Sequence, residues 1–101
     1  MSYEKNHKEI FSRLSKKSTG VLGTIDKNLN TVRLRVMYYG LDDNFNCYLM
    51  STKDSPKIEQ ILVSPDISFI VFDLVEPYDE SWEIEINGYA KILNNKEEIN
   101  Y

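Results

Sequence analysis

Two prolines, Pro56 and Pro65, bracket a helical stretch in a chain that otherwise reads as short strands. Ser55 is a residue type that caps helices. Pro56 suits the first helical position, where its missing N–H is not needed. Ile58, Ile61 and Leu62 supply a short buried stripe, and Pro65 ends the run. The segment from Ser51 to Pro65 therefore switches the chain from strand to helix. Ser51, Thr52, Ser55 and Lys57 crowd that junction. Free helix-end N–H groups, the positive end of a helix dipole, hydroxyls and an ammonium together suit a phosphate. Upstream, Thr31 to Met37 reads Thr-Val-Arg-Leu-Arg-Val-Met and offers a guanidinium to the same anion.

The rest of the chain supplies strands around that helix. Tyr3 to Lys17 reads as an N-terminal helix, with Ile10, Phe11 and Leu14 at helical spacing. Ser18-Thr19-Gly20 breaks it. Val21 to Ile25 and Thr31 to Tyr39 are strands joined by the turn-rich Asp26 to Asn30, which predicts a hairpin. A second polar turn leads to a third strand, Cys47 to Met50. Ile67 to Leu74 is a near-continuous apolar run, which predicts a strand buried on both faces. Ser81 to Leu93 alternates, with Trp82, Ile84 and Ile86 on one face and Glu83, Glu85 and Asn87 on the other. Gly88 is expected to mark a bulge or bend. Polar residues follow, and a helix start is expected at Lys96-Glu97-Glu98.

Helix, three strands, helix and two strands, with short hairpin turns, predict a mainly β fold with a few helices. A small antiparallel barrel, closed or split, removes the exposed edges that five strands would otherwise leave. One domain of 101 residues is expected, with the helix over residues 3–17 and the barrel over 20–93.

The totals narrow the function classes. Lysine and arginine number 12 against 16 acids, so the net charge is −4. That balance argues against nucleic acid as a partner. One cysteine, Cys47, and one histidine, His7, exclude an internal disulfide and a Cys/His zinc site. Cys47 is read as a packed strand residue and His7 as solvated. No apolar segment is long enough to span a membrane and no signal peptide opens the chain, so the expected location is the cytoplasm. No nucleophile–base pair stands out, and Glu83 and Glu85 read as a solvated strand face.

The order of these elements and motifs resembles the pyridoxamine 5′-phosphate oxidase-like, FMN-binding split-barrel family, especially its small general-stress-protein-like members. The matching stretches are Val21 to Asp26, Val32 to Met37, Leu49 to Ile61, Ser64 to Ser68 and Glu85 to Ile92. The resemblance implies a homodimer with FMN in grooves at the subunit interface and a small-molecule substrate. It places the flavin phosphate on Arg35, Ser51, Ser55 and Lys57, with Thr52 in the same hydroxyl cluster. Arg33, two residues from Arg35 and hence on the same strand face, is the alternative arginine. The resemblance lays the ring along the second and third strands, against backbone groups of Val36, Met37, Tyr38, Leu49 and Met50. It also offers Trp82, from the other subunit, to the ring.

Three departures matter. The full oxidase carries a lysine at the position of Gly40 and an arginine where Pro56 stands. It also carries a C-terminal substrate-binding segment that has no counterpart before Tyr101. True pyridoxamine phosphate oxidase activity is therefore not expected. The leading expectation is an FMN-dependent oxidoreductase of unknown substrate. There the cofactor carries the redox chemistry and no catalytic side chain is assigned. The competing expectation is a non-enzymatic carrier or sensor, or a degenerate barrel holding a deazaflavin or haem. For Arg35 and Lys57 the plain alternative is surface charge. For Ser55 it is a helix cap, and for Trp82 it is core packing.

Overall fold

The protein is described by a computed structural model over residues 3–51 and 55–93, with side chains from His7 onward. Helix α1 (Tyr3–Ser15) is followed by β1 (Thr19–Asp26), β2 (Thr31–Leu41) and β3 (Cys47–Leu49). Helix α2 (Pro56–Val63), β4 (Asp66–Asp73) and β5 (Trp82–Tyr89) complete the order, with a single 3-10 turn at Tyr78–Glu80. The helix start expected at Lys96 lies outside the described residues. The five strands form one curled antiparallel sheet in the order β3-β2-β1-β4-β5.

The β1–β2 hairpin runs in unbroken register from Thr19↔Tyr38 to Asp26↔Thr31. Its turn is held by Asp26, whose Oδ1 accepts the N–H groups of Asn28 at 3.0 Å and Leu29 at 3.1 Å. Asn30 closes the turn in the left-handed region, φ 52°. Asparagine visits that region at little cost.

Strand alternation sends one set of side chains to the helices and the other set away from them. The helix-side set forms the core: Leu22, Met37, Tyr39, Phe69 and Val71, joined by Leu14 of α1. The Tyr39 hydroxyl donates to the Leu14 carbonyl and ties α1 to β2. Its ring meets Phe69 edge-on, with centroids 5.5 Å apart. Cys47 packs half-buried in β3, as expected. Burial pushes its thiol up to about 11, so it stays protonated and unreactive near neutral pH. His7 is exposed, and its ring stands edge-on to Phe45 at 4.1 Å.

The β4 expectation is corrected. Only the helix-side residues Phe69 and Val71 are buried, while Ser68 and Phe72 on the other face are exposed. Among the described residues α1 and α2 both lie against one face of the sheet, so an apolar run on β4 finds cover on that face alone. Gly88 is corrected too. It pairs with Ile67 inside a continuous β4–β5 ladder, so no bulge forms there.

Gly20 is the glycine whose lack of a side chain matters. A Cβ there would lie 2.5 Å from Phe69 Cζ and 2.6 Å from the Ile70 carbonyl oxygen. The ring is locked in the core and the carbonyl belongs to β4, so neither yields cheaply. Gly20→Ala is expected to destabilise the fold by about 1–3 kcal/mol through overpacking. Urea unfolding checks this, and an unchanged midpoint would show that the β1–β4 contact is looser than described.

Candidate functional site

The site is built where the open end of β2 meets the start of α2. On the helix side of β2 the residues run Arg33, Arg35, Met37, Tyr39. The last two are core and the first two extend beyond it. Pairing sets Arg35 opposite Leu22 and Arg33 opposite Thr24. Helix α2 buries Ile61 against the sheet, which carries Gln60 over β1.

Gln60 is the hub. Its Oε1 accepts the Thr24 hydroxyl at 2.6 Å and Arg35 Nη2 at 3.1 Å. Its Nε2 donates to Asp26 Oδ2 at 3.4 Å. The same Asp26 oxygen faces Arg33 Nη1 at 3.8 Å, an ion pair too long for a hydrogen bond. Thr24 is 1% exposed and Asp26 9%, so this polar group is well enclosed and every hydrogen-bonding atom matters.

At the helix start, Lys57 Nζ donates to Ser55 Oγ at 2.6 Å. Ser55 was expected to cap α2 with its side chain; that is corrected. Its backbone occupies the cap position and its carbonyl accepts the Ile58 N–H at 3.0 Å, but its hydroxyl makes no cap bond and serves Lys57. The ammonium, a charged donor on a flexible stem, outcompetes the weaker N–H donors of the first turn. Pro56 stands at the first helical turn as expected.

The electrostatics are one-sided. Burial lowers the Arg35 pKa, and the neighbouring Arg33 charge lowers it further. Burial lowers the Lys57 pKa, and Arg35 adds to that. Among the described residues the ion pairs are Arg13–Glu9, Lys17–Asp73 and Arg33–Asp26, so Arg35 and Lys57 have no acidic partner. Two like charges gathered beside a helix N-terminus create a local demand for an anion.

The structure thus brings together Arg33, Arg35, Ser55 and Lys57. Thr52 lies outside the described residues. Ser51 and Met50 are exposed just beyond β3, where the Met50 N–H donates to the Tyr38 carbonyl at 3.4 Å. Met37 is buried in the core, and Val36 faces the opposite side of the sheet. Trp82 stands apart, on β5 at the far edge of the sheet from β2 and β3. It packs against its own core, with the Arg13 guanidinium 5.8 Å from its ring centre.

Sequence reasoning missed Gln60, Thr24 and Asp26 as members of the site. The available signal was Gln60 itself. It falls three residues after Lys57 and next to buried Ile61, a polar residue beside an apolar stripe.

Among the described residues nothing covers the far side of the sheet, which is apolar along β2 and polar at Ser68, Glu85 and Asn87. On β2, Val32 is 62% exposed, Leu34 70%, Val36 73% and Tyr38 67%. Beside them, Val21, Ile25, Leu34 and Tyr89 help line an open groove of about 830 Å³. Strand β3 pairs only with Tyr39 to Leu41. Among the described residues, no strand covers the outer edge of β2 from Thr31 to Met37.

No helix among the described residues is long and apolar enough to cross a membrane. No group of three or more metal-ligating side chains occurs among them. No protein-family model matches the chain, and no curated protein matches it. Among solved structures it is similar to the crystal structure of conserved hypothetical protein Rv2991 from Mycobacterium tuberculosis, with a TM-score of 0.82 and 26% identity. That likeness covers 97% of this chain and 57% of the other, so this chain spans little more than half the length of the protein it matches.

Proposed function

We propose that the chain is an FMN-binding split barrel that holds the flavin phosphate at Arg35 and Lys57 and acts as an oxidoreductase on a small organic substrate. The observation that carries this reading is the pair of cations without an acidic partner among the described residues, set beside Ser55 at the start of α2. A guanidinium grips phosphate oxygens in a fork, the lysine adds a point charge, and the helix end adds N–H donors. The donor set fits a terminal phosphate.

Three further features accord with the reading. The uncovered edge of β2 presents backbone donors and acceptors beside the arginines, suited to the polar rim of a flavin ring. The apolar β2 part of the far face fits a second copy of this chain, which completes a homodimer with the flavin grooves at its interface. The lone cysteine accords with a cytoplasmic location. Bound FMN supplies hydride and electron transfer. The chain's own residues bind the phosphate, orient the ring and cover it from water.

The test is an absorption spectrum of the purified protein after incubation with FMN and desalting. A retained two-band flavin spectrum is expected. A colourless protein would overturn the reading.

A further inference from the structure

We propose that Asp26 and Gln60 sort the two arginines of β2, so that Arg33 spends its charge on Asp26 while Gln60 holds Arg35 in place with its charge left for the ligand. This rests on the phosphate-site reading above and identifies a positioning residue within it. Arg33 and Arg35 share a strand face and differ little in sequence context. What separates them is their partner. Arg33 Nη1 faces a carboxylate at 3.8 Å. Arg35 Nη2 meets a neutral amide oxygen at 3.1 Å.

Gln60 is built for this role. Its Oε1 accepts from the buried Thr24 hydroxyl and from Arg35 while its Nε2 donates to Asp26, so a flipped amide would set NH2 against the guanidinium and oxygen against the carboxylate. Its Nε2 is held by Asp26. Asp26 is in turn anchored by the Asn28 and Leu29 N–H groups. The chain of contacts runs from a hairpin turn through the amide to one side of the Arg35 guanidinium. Among the described residues no acceptor takes the remaining N–H groups of that fork, which leaves them to an anion. A neutral holder is the chemically useful choice. A carboxylate at the same place would pair with Arg35 and compete with the phosphate.

The test compares FMN with riboflavin, which lacks the phosphate, in equilibrium titrations of the full chain. Two variants are used, Gln60→Glu and Gln60→Met. The first supplies a competing charge. The second, close in volume, removes the acceptor and keeps the test available should a new carboxylate beside Asp26 prevent folding. Each is expected to weaken FMN by about tenfold, the scale of one charge-assisted hydrogen bond, with riboflavin unchanged. A merely structural role would lower both flavins together and leave their ratio as in the wild type. An unchanged ratio in folded variants overturns the role of Gln60 alone. A wild type that binds neither FMN nor inorganic phosphate overturns this inference and the site reading with it.

Discussion

Arg35→Ala is expected to weaken FMN binding by about a hundredfold, the loss of roughly 2–3 kcal/mol from a forked, charge-assisted contact. The fold should survive the change. Arg35 contributes one described hydrogen bond, to Gln60 Oε1, and that oxygen keeps the Thr24 hydroxyl when the guanidinium is gone. No buried acceptor is orphaned, and no described acidic partner is left unpaired. Burial is the larger cause of the lowered Lys57 pKa; truncation removes the lesser contribution of the Arg35 charge, so the lysine pKa should rise part of the way toward its ordinary value. Fluorescence titration of FMN, alongside thermal unfolding of the same sample, separates loss of the ligand contact from loss of the fold. Equal FMN affinity in wild type and variant would remove Arg35 from the site.

Leu34→Asp is expected to turn the proposed dimer into a monomer. Leu34 lies between Val32 and Val36 on the apolar face of β2, and a second copy of this chain is the proposed cover. Burying side chains of this type stabilises an interface by about 1.5–3 kcal/mol each, against an association cost of about 4–15 kcal/mol. A face of this size is therefore near the balance point. One buried, unpaired carboxylate there costs more than the removed leucine contributed. The dimer dissociation constant should rise at least about a hundredfold, which corresponds to roughly 2.7 kcal/mol. The isolated chain is little affected, because Leu34 is already largely exposed in it. Sedimentation equilibrium on both proteins gives the answer. A wild type that is monomeric at micromolar concentration would contradict the proposed cover.

Much of the fold was legible because its signals are local. The strand from Thr31, expected to Tyr39 and observed to Leu41, the hairpin turn at Asp26 to Asn30 and the Pro56 helix start each rest on turn or propensity chemistry that no distant contact overrides. The β4 error has a different origin. An apolar run reports how much cover a strand prefers, not which cover the chain itself supplies, and α1 and α2 cover one face only. Gly88 was misread because a glycine in a strand marks a bulge only where the ladder breaks, and the β4–β5 ladder continues through it.

The site was legible in part. Arg33, Arg35, Ser55 and Lys57 announced themselves by charge and by position at a strand–helix junction. Which arginine pairs with a carboxylate was not legible, because it depends on the hairpin register that sets Asp26 near Arg33 and on Gln60, which only the α2–β1 packing brings to Arg35. The Ser55 hydroxyl was read as a cap because serine is a cap residue. A lysine two residues on gave it a charged donor instead. Trp82 packs under Arg13 within its own chain, and its expected reach to a ring from the other subunit depends on a second copy rather than on this packing.

The central claim is that this site recognises a phosphate. The most direct measurement is a paired equilibrium titration of the wild-type protein with FMN and with riboflavin at the same ionic strength. The two ligands share the ring and differ in the phosphate, so their affinity ratio isolates Arg35, Lys57 and the helix end. FMN binding tighter by about a hundredfold or more, with a gap that narrows as salt is raised, is the predicted result. Equal affinities for the two flavins, or no affinity for either, would contradict it.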